Sequence, residues 1–369
     1  MSVAKKPSAP RAQRTVNTNT ESKPTLVDPN NHFLFTVDVE DWFQVENFKS
    51  LIPFDSWNTK DLRVERNTHR ILDLLDSAGS VASPKATFFI LGWIARKLPH
   101  LVREIHFRGH EVASHGVNHH LCTDQSKNAL VSDLTESKSL LEDIIGSPIQ
   151  GYRAPSFSIN NDILKIIEDA GYRYDASYNS FDKHGRYGKI STGGLKKKGI
   201  AFQISDGFFT IPVSNLNISF NRRKSNSNQA PEYANSVMPD LIRHPAAALN
   251  HDFRHNDNSK VPQPHRQSKN NPIMTPLGGG GYFRLIPYII FRQGIKSILN
   301  QEGAYSFYLH PWELDPSQPR VTDAPQLMKF RHYVNLSSTK NKIQRMLADF
   351  KSCHFITCNN YLDKLTKAK

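Results

Sequence analysis

Short apolar segments alternate with helical patterns through the first half of this 369-residue chain. Residues 33–38, 86–91 and 111–114 have the length and apolar character of buried strands, and helical patterns at 67–75 and 94–108 separate them. Parallel strands need a long crossover, usually a helix, so this alternation favours a parallel α/β sheet. We predict a distorted (β/α) barrel with fewer than eight regular units, to which these further segments belong: helices at 132–145, 161–170 and 340–350, and strands at 149–153, 306–310 and 354–357.

Two stretches interrupt this pattern. Residues 1–30 are rich in Ser, Thr, Asn, Pro, Lys and Arg and contain little to bury, which predicts a disordered basic tail. Residues from about 217 to 276 are dense in Asn, Ser, Pro, His and Arg and lack periodicity, which predicts a long flexible insertion. The remainder of residues 31–369 is expected to form one domain.

The net charge of +13 reflects local basic runs, such as residues 196–198 and 222–224. Such runs are usually solvated surface, and no nucleic-acid-binding motif accompanies them, so no nucleic-acid partner is expected. A basic surface suits an anionic glycan and is compatible with peripheral membrane association. The chain has no apolar run of about 18 residues and no apolar signal region, so we expect a cytoplasmic protein, with the inner face of the membrane as one location.

Two histidines and an acidic cluster indicate a metal site. His115 and His119 are four residues apart, as on one turn of a helix, and the segment Asp38-Val-Glu40-Asp41 ends the first predicted strand. Two imidazoles and a carboxylate supply three ligands and leave a position for water, as in catalytic sites. This ligand set suits zinc, and cobalt, nickel and manganese remain alternatives. The cysteines Cys122, Cys353 and Cys358 have no zinc-pair spacing.

Five motifs occur in order along the chain, each after a plausible strand. They are Asp38-Val-Glu40-Asp41, His115-x-x-x-His119, Tyr152-Arg153-Ala-Pro155-Ser-Phe157, Asp206-Gly-Phe-Phe-Thr-Ile-Pro212 and Phe307-Tyr-Leu-His310. In this order they resemble the NodB-type polysaccharide deacetylases of carbohydrate esterase family four. The segments Asp-Val-Glu-Asp-Trp-Phe-Gln-Val, Gly-Gly-Gly-Gly-Tyr-Phe-Arg and Leu-His-Pro-Trp-Glu look closer still to the exosortase-associated subgroup linked to exopolysaccharide loci. The resemblance covers residues 32–214 and 278–365.

The resemblance implies a role for each acid at the end of the first strand. Asp38 matches the general base of the family, and Arg153 would lie beside it and orient its carboxylate. The acidic ligand of the family directly follows the base, but this chain has Val39 there. Glu40 is therefore the first choice as the third metal ligand, and Asp41 is the second.

The resemblance also implies an acid and a sugar-binding cleft. His310 matches the general acid that protonates the leaving amine, and Asp206 is expected to orient it or to contact sugar. Pro155 would rigidify a turn. The expected cleft residues are Phe157 as a wall, and Trp42, Tyr282 and Trp312 as rings that stack on sugar.

These residues predict a metal-dependent hydrolase that uses a metal-bound water to remove N-acetyl groups from N-acetylhexosamine units. The substrate would be an N-acetylated polysaccharide or a lipid-linked oligosaccharide precursor. Two alternatives stay open: a hydrolase of another amide, such as a cyclic imide or an allantoin-like compound, and a non-catalytic glycan-binding module. Metal content would distinguish an imide hydrolase, which can lack metal. The sequence indicates no particular sugar, linkage or oligomeric state.

Overall fold

The computed structural model describes residues 28–367 except residue 29 and residues 79–82, 182–186 and 219–272. Nearly all of the predicted tail, and most of the predicted insertion at 217–276, therefore lie outside the described residues. Within the described part of the chain, no helix combines the length and the apolar character that crossing a membrane requires.

Twelve strands and ten helices are formed by the described residues. The strands are β1 (His32–Val39), β2 (Ala86–Ile90), β3 (Glu111–Ser114), β4 (Gly151–Tyr152), β5 (Tyr174–Asp175), β6 (Lys196–Lys198), β7 (Ala201–Ser205), β8 (Phe208–Thr210), β9 (Asn215–Ile218), β10 (Ile273–Pro276), β11 (Ala304–Leu309) and β12 (His354–Phe355). The helices are α1 (Val64–Asp76), α2 (Gly92–Lys97), α3 (Pro99–Phe107), α4 (Lys127–Ile145), α5 (Asn161–Asp169), α6 (Gly280–Leu285), α7 (Tyr288–Glu302), α8 (Gln326–Tyr333), α9 (Leu336–Asp349) and α10 (Cys358–Lys367).

The main sheet has a parallel centre and an antiparallel edge. Its order is β11-β1-β2-β3-β4-β5-β8-β7-β6, with β12 also paired to β1. The strands from β11 through β8 run parallel, and β7 and β6 run antiparallel. Phe33 to Val39 are all buried, because a central parallel strand is covered on both faces. This is why β1 and β2 appear in the sequence as continuous apolar runs.

The sheet curls so that the chain after β8 reaches β11. The amide of Ser214 donates to the carbonyl of Ser306 (3.2 Å), and the amide of Ser306 donates to Ser214 Oγ (2.8 Å). The amide of Val213 donates to the carbonyl of Tyr178 on the other side. These single contacts replace a full strand ladder, so the sheet is a curled half-barrel. The predicted α/β class with a distorted barrel is confirmed.

The single helix predicted at 94–108 is two helices. Pro99 is the first residue of α3, and Leu98 between the helices has φ −132° and ψ 56°. Proline has no N–H to donate, and inside a helix its ring would clash with the carbonyl four residues earlier. The helix α2 therefore ends before Pro99. At its other end, α2 begins beside the segment that follows β3.

The two ends of the predicted insertion pair with each other. β9 and β10 form an antiparallel ribbon with Ile218 opposite Ile273 and Asn215 opposite Pro276. Immediately after the ribbon, the carbonyl of Gly278 accepts a hydrogen bond from the amide of Tyr308 in β11 (2.8 Å). The described residues on either side of 219–272 are therefore neighbours in the fold.

Candidate metal centre

The candidate site lies at one edge of the sheet. Asp38 lies near the end of β1, and Glu40 directly follows that strand. His115 follows β3, Arg153 follows β4, and His310 follows β11. These strands run parallel, so their carboxyl ends meet at the same edge, where side chains of different strands converge. With His119, which lies in the loop after β3, the structure brings together six of the seven residues to which the sequence assigned catalysis or metal binding, all but Asp206.

Glu40, His115 and His119 form a compact buried cluster. Glu40 Oε1 is 3.1 Å from His115 Nε2 and 3.1 Å from His119 Nε2. The three ligand atoms lie within 4.8 Å of one another, and the described residues contain no other such group of three. A carboxylate and two imidazoles at this spacing fit a divalent cation with an open coordination position.

The hydrogen bonding of His115 favours a cation between His115 and Glu40 over a direct hydrogen bond between the two side chains. Its Nδ1–H donates to the carbonyl of Arg153 (2.7 Å), since a carbonyl only accepts. In the neutral ring, Nε2 then presents a lone pair to the carboxylate of Glu40, and the two would repel without a positive charge between them. Burial raises the pKa of Glu40, but the neighbouring imidazoles hold that pKa well below its usual range. Burial lowers the pKa of His119, but the charge of Glu40 raises it overall.

The segment that carries both histidines is a loop, so the prediction of one helical turn was wrong. Gly116 has φ +75° and His119 has φ +57°, in the left-handed region that interrupts a helix. A Cβ at Gly116 would lie 2.7 Å from Asp133 Oδ2, so this position needs glycine for space as well as for its backbone conformation. His119 adopts the left-handed conformation without that freedom, as strained residues at functional sites often do.

Two helices hold this loop in place. The amides of Gly92 and Trp93 at the start of α2 donate to the carbonyls of Gly116 (2.8 Å) and Val117 (2.9 Å). From α4, Asp133 Oδ1 accepts the amide of Val117 (3.0 Å). The helix start uses amides that have no partner within the helix itself. The two imidazoles are therefore positioned by contacts from outside their own segment.

Asp38 is paired with a buried arginine. Arg153 Nη1 donates to Asp38 Oδ1 (2.6 Å) and to Thr36 Oγ1 (2.8 Å), and its Nε donates to the carbonyl of Ala176 (2.9 Å). The guanidinium also lies 4.1 Å from the ring centre of Phe89. One carboxylate oxygen is thus fixed, and the other, Oδ2, faces the cleft 3.9 Å from His310 Nε2. This agrees with the predicted pairing of Arg153 with Asp38.

His310 faces the metal ligands with one nitrogen and Glu313 with the other. Its Nε2 is 3.6 Å from Glu40 Oε1, and its Nδ1–H donates to Glu313 Oε1 (2.9 Å). Burial lowers the pKa of His310, but the carboxylates of Glu40, Glu313 and Asp38 together raise it to about 9. A protonated imidazole in this place has a proton available on the side of the cleft.

The partner of His310 differs from the one predicted. Asp206 is exposed in the turn between β7 and β8, and Glu313 occupies the position expected of it. The sequence carried a signal for Glu313, because an acid three residues after a helix start can accept the backbone N–H there. Glu313 does so from His310 (3.0 Å), at the start of a short 3-10 helix over Pro311–Leu314.

Asp41 points away from the cluster and caps a helix. Its carboxylate accepts hydrogen bonds from the amides of Arg63 and Val64 at the start of α1, the latter at 2.8 Å. Burial outweighs these bonds and raises the pKa of Asp41 to about 6. Of the two carboxylates proposed as the acidic ligand, the geometry therefore favours Glu40.

An open cleft of about 580 Å³ lies over the cluster, and Asp38, Glu40, His119 and His310 line it. Phe157 forms part of its wall, as predicted. Pro155 begins a short 3-10 helix whose next two residues, Ser156 and Phe157, have φ of 50° and 58°. Two consecutive residues in the left-handed region fix the shape of this wall.

A second cleft of about 850 Å³ adjoins the first and shares His310 and Trp312 with it. Tyr282 lines this second cleft, and its contact with sugar stays a prediction. Half of the residues that line this cleft belong to α6, as Tyr282 does, or to α8, as the half-exposed Phe330 does.

The structure does not support sugar stacking by the two predicted tryptophans. Trp42 is buried, and its Nε1–H donates to the carbonyl of Asp61 (3.0 Å). Trp312 stacks on His310 (centroids 5.2 Å apart) and on His332 (4.3 Å), and its side chain is buried. The sequence indicated aromatic residues near the site but not which of their faces are free.

Two family models match the chain. Residues 50–174 match the model described as polysaccharide deacetylase, and residues 236–363 match a model described as a domain of unknown function, DUF3473. Of the residues that form the site, His115, His119 and Arg153 fall in the first match, and His310 and Glu313 fall in the second.

Known proteins with similar sequences are named deacetylases. A peptidoglycan-N-acetylglucosamine deacetylase of Bacillus cereus is 31% identical over 106 residues, which is 29% of this chain and 47% of that protein. A peptidoglycan deacetylase-like protein of Gibberella zeae is 32% identical over 31% of this chain and 33% of its own length. The chain thus spans half or less of the length of these relatives.

A solved structure of a candidate polysaccharide deacetylase from Mycobacterium smegmatis is 16% identical to this chain. It covers 91% of this chain and 90% of its own chain with a TM-score of 0.49.

Proposed function

We propose that this chain, which carries a polysaccharide deacetylase domain, is a metal-dependent hydrolase of N-acetylated glycans. It would remove the acetyl group from N-acetylhexosamine units of a polysaccharide or of its lipid-linked precursor. One observation carries the proposal: a buried ligand set for a cation, a paired carboxylate and an imidazole with an available proton face the same cleft. The name of the Bacillus cereus relative supports N-acetylglucosamine as the sugar.

Glu40, His115 and His119 would hold the cation, and we propose zinc because two imidazoles and one carboxylate suit it. When bound, such an ion polarises a carbonyl oxygen and lowers the pKa of water to about 7. The side chains of Asp38 and His310 lie outside the ligand set, so both are available for proton transfer.

Asp38 serves as the general base. Its Oδ1 is held by Arg153, and its Oδ2 is directed into the cleft, where it accepts a proton from the water that attacks the acetyl carbonyl. The arginine neutralises part of the charge of a carboxylate that would otherwise be costly to bury. A fixed base that needs no rotation before it accepts the proton lowers the entropic cost of the step.

His310 serves as the general acid. Its Nε2–H donates a proton to the leaving nitrogen as the carbon–nitrogen bond breaks and the bonding electron pair passes to that nitrogen. One amide and one water thereby give one acetate and one free amine. In each turnover Asp38 gains one proton and His310 loses one, so the proton count is balanced. Exchange with solvent then returns both groups to their starting states.

The natural glycan is proposed from two features. The similarity of residues 278–284 and 309–313 to the exosortase-associated subgroup supports an exopolysaccharide as substrate. The net charge of +13 suits an anionic glycan or a precursor at a membrane surface. Phe157 and Tyr282 would contact the sugar rings from the walls of the two clefts.

The test is acetate release from an N-acetylglucosamine oligomer by the purified full chain. It is run with added zinc, with a chelator, with His115→Ala and with His100→Ala as a matched control, since His100 lies on the surface and pairs with Glu65. We expect release that needs metal, disappears in His115→Ala and persists in His100→Ala. Stoichiometric metal without release would instead indicate another amide as substrate. Absence of both metal and release would favour a glycan-binding module.

A further inference from the structure

A chain of buried contacts runs from His310 into the part of the molecule matched by the domain of unknown function. Glu313 accepts two hydrogen bonds from His310, one from Nδ1–H (2.9 Å) and one from the backbone amide (3.0 Å). The other oxygen of Glu313 accepts from Arg284 Nε (2.6 Å). Arg284 and Glu313 are 2% and 1% exposed, so this ion pair is shielded from water.

Arg284 is itself fixed by backbone carbonyls. Its Nη1 donates to the carbonyls of His332 (2.8 Å) and Val334 (2.9 Å), and its Nη2 donates to that of Arg331 (3.0 Å). These carbonyls come from the end of α8, whereas Arg284 lies on α6. The planar guanidinium therefore locks α6, α8 and the segment after β11 into one arrangement.

The ring of His310 is also held from its face. Trp312 stacks on it with an interplanar angle of 20°, and His332 stacks on the far side of Trp312 at 14°. His332 is buried and neutral, since burial and the charge of Arg284 hold its pKa well below the usual range. The stack limits rotation of the imidazole, and Glu313 determines which nitrogen faces the cleft.

We propose that Arg284 is a positioning residue for the deacetylation reaction, acting through Glu313 to hold His310 with Nε2 towards the scissile amide. This inference rests on the proposed function. It also assigns a task to the region matched by the domain of unknown function: residues 236–363 contain Arg284, His310 and Glu313, and so supply the acid half of the active site. The polysaccharide deacetylase match at 50–174 supplies His115 and His119.

The physical reason is the cost of burying Glu313. A buried carboxylate needs a positive partner and full hydrogen bonding, and removal of one partner is strongly destabilising to the arrangement. Without Arg284, Glu313 would lose the contact that fixes its second oxygen and would be free to turn. His310 would then lose the acceptor that sets its orientation, although no ligand of the proposed metal site would have been removed.

The proposal predicts selectivity for the leaving group. Hydrolysis of an acetamide needs a proton on the departing nitrogen, whereas 4-nitrophenyl acetate releases a stable phenolate that needs none. Loss of positioning should therefore reduce amide hydrolysis and spare ester hydrolysis. A general structural defect would reduce both by the same factor.

The experiment compares the full chain with Arg284→Met, Arg284→Lys and Glu313→Gln on an N-acetylglucosamine oligomer and on 4-nitrophenyl acetate. The control is Arg173→Met, which removes another arginine ion pair, the one with Asp363 (2.6 Å). We expect Arg284→Met and Glu313→Gln to lower kcat for the amide about 10²-fold, with KM and ester hydrolysis changed less than about 3-fold. Arg284→Lys should recover part of the amide activity, and Arg173→Met should leave the ratio unchanged.

Equal losses on both substrates, or a shifted ratio in Arg173→Met, would overturn the proposal. If Arg284→Met does not fold, as judged by circular dichroism, Glu313→Gln and Arg284→Lys decide. If the wild type does not hydrolyse the ester, amide hydrolysis alone is the test. A lower kcat in the variants, with unchanged KM and metal content, would support positioning. A raised KM or loss of the metal would contradict it. A wild type inactive on both substrates would reject the proposed function rather than this inference.

Discussion

The two sides of the cleft satisfy their polar groups in opposite ways. On the metal side, one oxygen of Glu40 lies 3.1 Å from a ring nitrogen of His115 and 3.1 Å from one of His119, as in a set of ligands around one ion. On the acid side, donors and acceptors alternate from His310 through Glu313 to Arg284, and each carboxylate oxygen has a donor. The metal side thus has the atoms to hold the proposed cation, whereas the polar groups of the acid side are paired within the chain.

The two sides also differ in what positions them. The metal ligands lie in a loop with two left-handed residues, Gly116 and His119, and the amides of α2 hold that loop. The acid side is anchored by a buried ion pair and three backbone carbonyls. We infer that binding of a cation changes the stability of the first side and leaves the second nearly unchanged. The following substitutions test this contrast.

Asp38→Asn should have the largest effect on catalysis. Asparagine retains the shape of the side chain but cannot accept the proton of the attacking water, so we expect kcat to fall about 10²- to 10⁴-fold. Because Asp38 lies outside the ligand set, the variant should still bind one metal ion per chain. Acetate release and metal analysis on the same sample check both statements. Loss of the metal in this variant would show that Asp38 contributes to metal binding, and would contradict the distinction between the two sides of the cleft.

Asp315→Asn should lower the stability of the acid side. Asp315 is buried and accepts hydrogen bonds from Arg63 (3.0 Å), which directly precedes α1, and from Arg66 of α1 (2.8 Å). These bonds tie that helix to the segment carrying Glu313. At pH 7 we expect the free energy of unfolding to fall by about 1–3 kcal/mol. Urea denaturation measures this loss. Metal affinity should not change.

The pH dependence of that loss has a definite sign. Burial raises the pKa of Asp315, but hydrogen bonds from Arg66, Ser317 and Arg63 hold it well below its usual range. A carboxylate with a lowered pKa contributes its stability fully above the unfolded value of about 3.9 and loses it as the pH falls towards the folded value. The difference between wild type and Asp315→Asn should therefore be constant from pH 7 to 5 and shrink below about pH 4. A difference that grows with acid would contradict the assigned role.

Asp206→Asn should have the smallest effect. Asp206 is exposed in the turn between β7 and β8 and belongs to neither side of the cleft. We expect kcat and KM to change less than about 2-fold and stability to change by less than about 0.5 kcal/mol. Steady-state kinetics with the N-acetylglucosamine oligomer decide this. A large fall in kcat would restore Asp206 as a partner of His310 and remove that role from Glu313.

Much of the fold was predictable because its signals are local. The apolar runs of β1, β2 and β3 are continuous, since parallel strands are buried on both faces, and residues of the site lie at or just beyond the ends of β1 and β3. The prediction of a helical turn for His115 and His119 was wrong because their conformation is set by Asp133 and the start of α2. Those contacts depend on how the elements pack, which periodicity does not reveal.

The acid side was only half predictable for the same reason. His310 was found by its place after a strand, and Glu313 had a local signal in its spacing from the start of the 3-10 helix. Arg284 is 29 residues from Glu313 and follows four glycines, so its partner emerges only when α6 packs beside β11. The environment of Trp312 likewise depends on His332 from α8.

The most direct test of the contrast is calorimetric titration of the metal-free full chain with zinc, in the wild type, Glu40→Gln and Asp41→Asn. Glu40 faces both imidazoles and Asp41 caps α1, although the two carboxylates are adjacent in sequence. The account predicts one ion per chain in the wild type and in Asp41→Asn, and a loss of binding in Glu40→Gln. Unchanged binding in Glu40→Gln, or its loss in Asp41→Asn, would contradict the proposed metal centre.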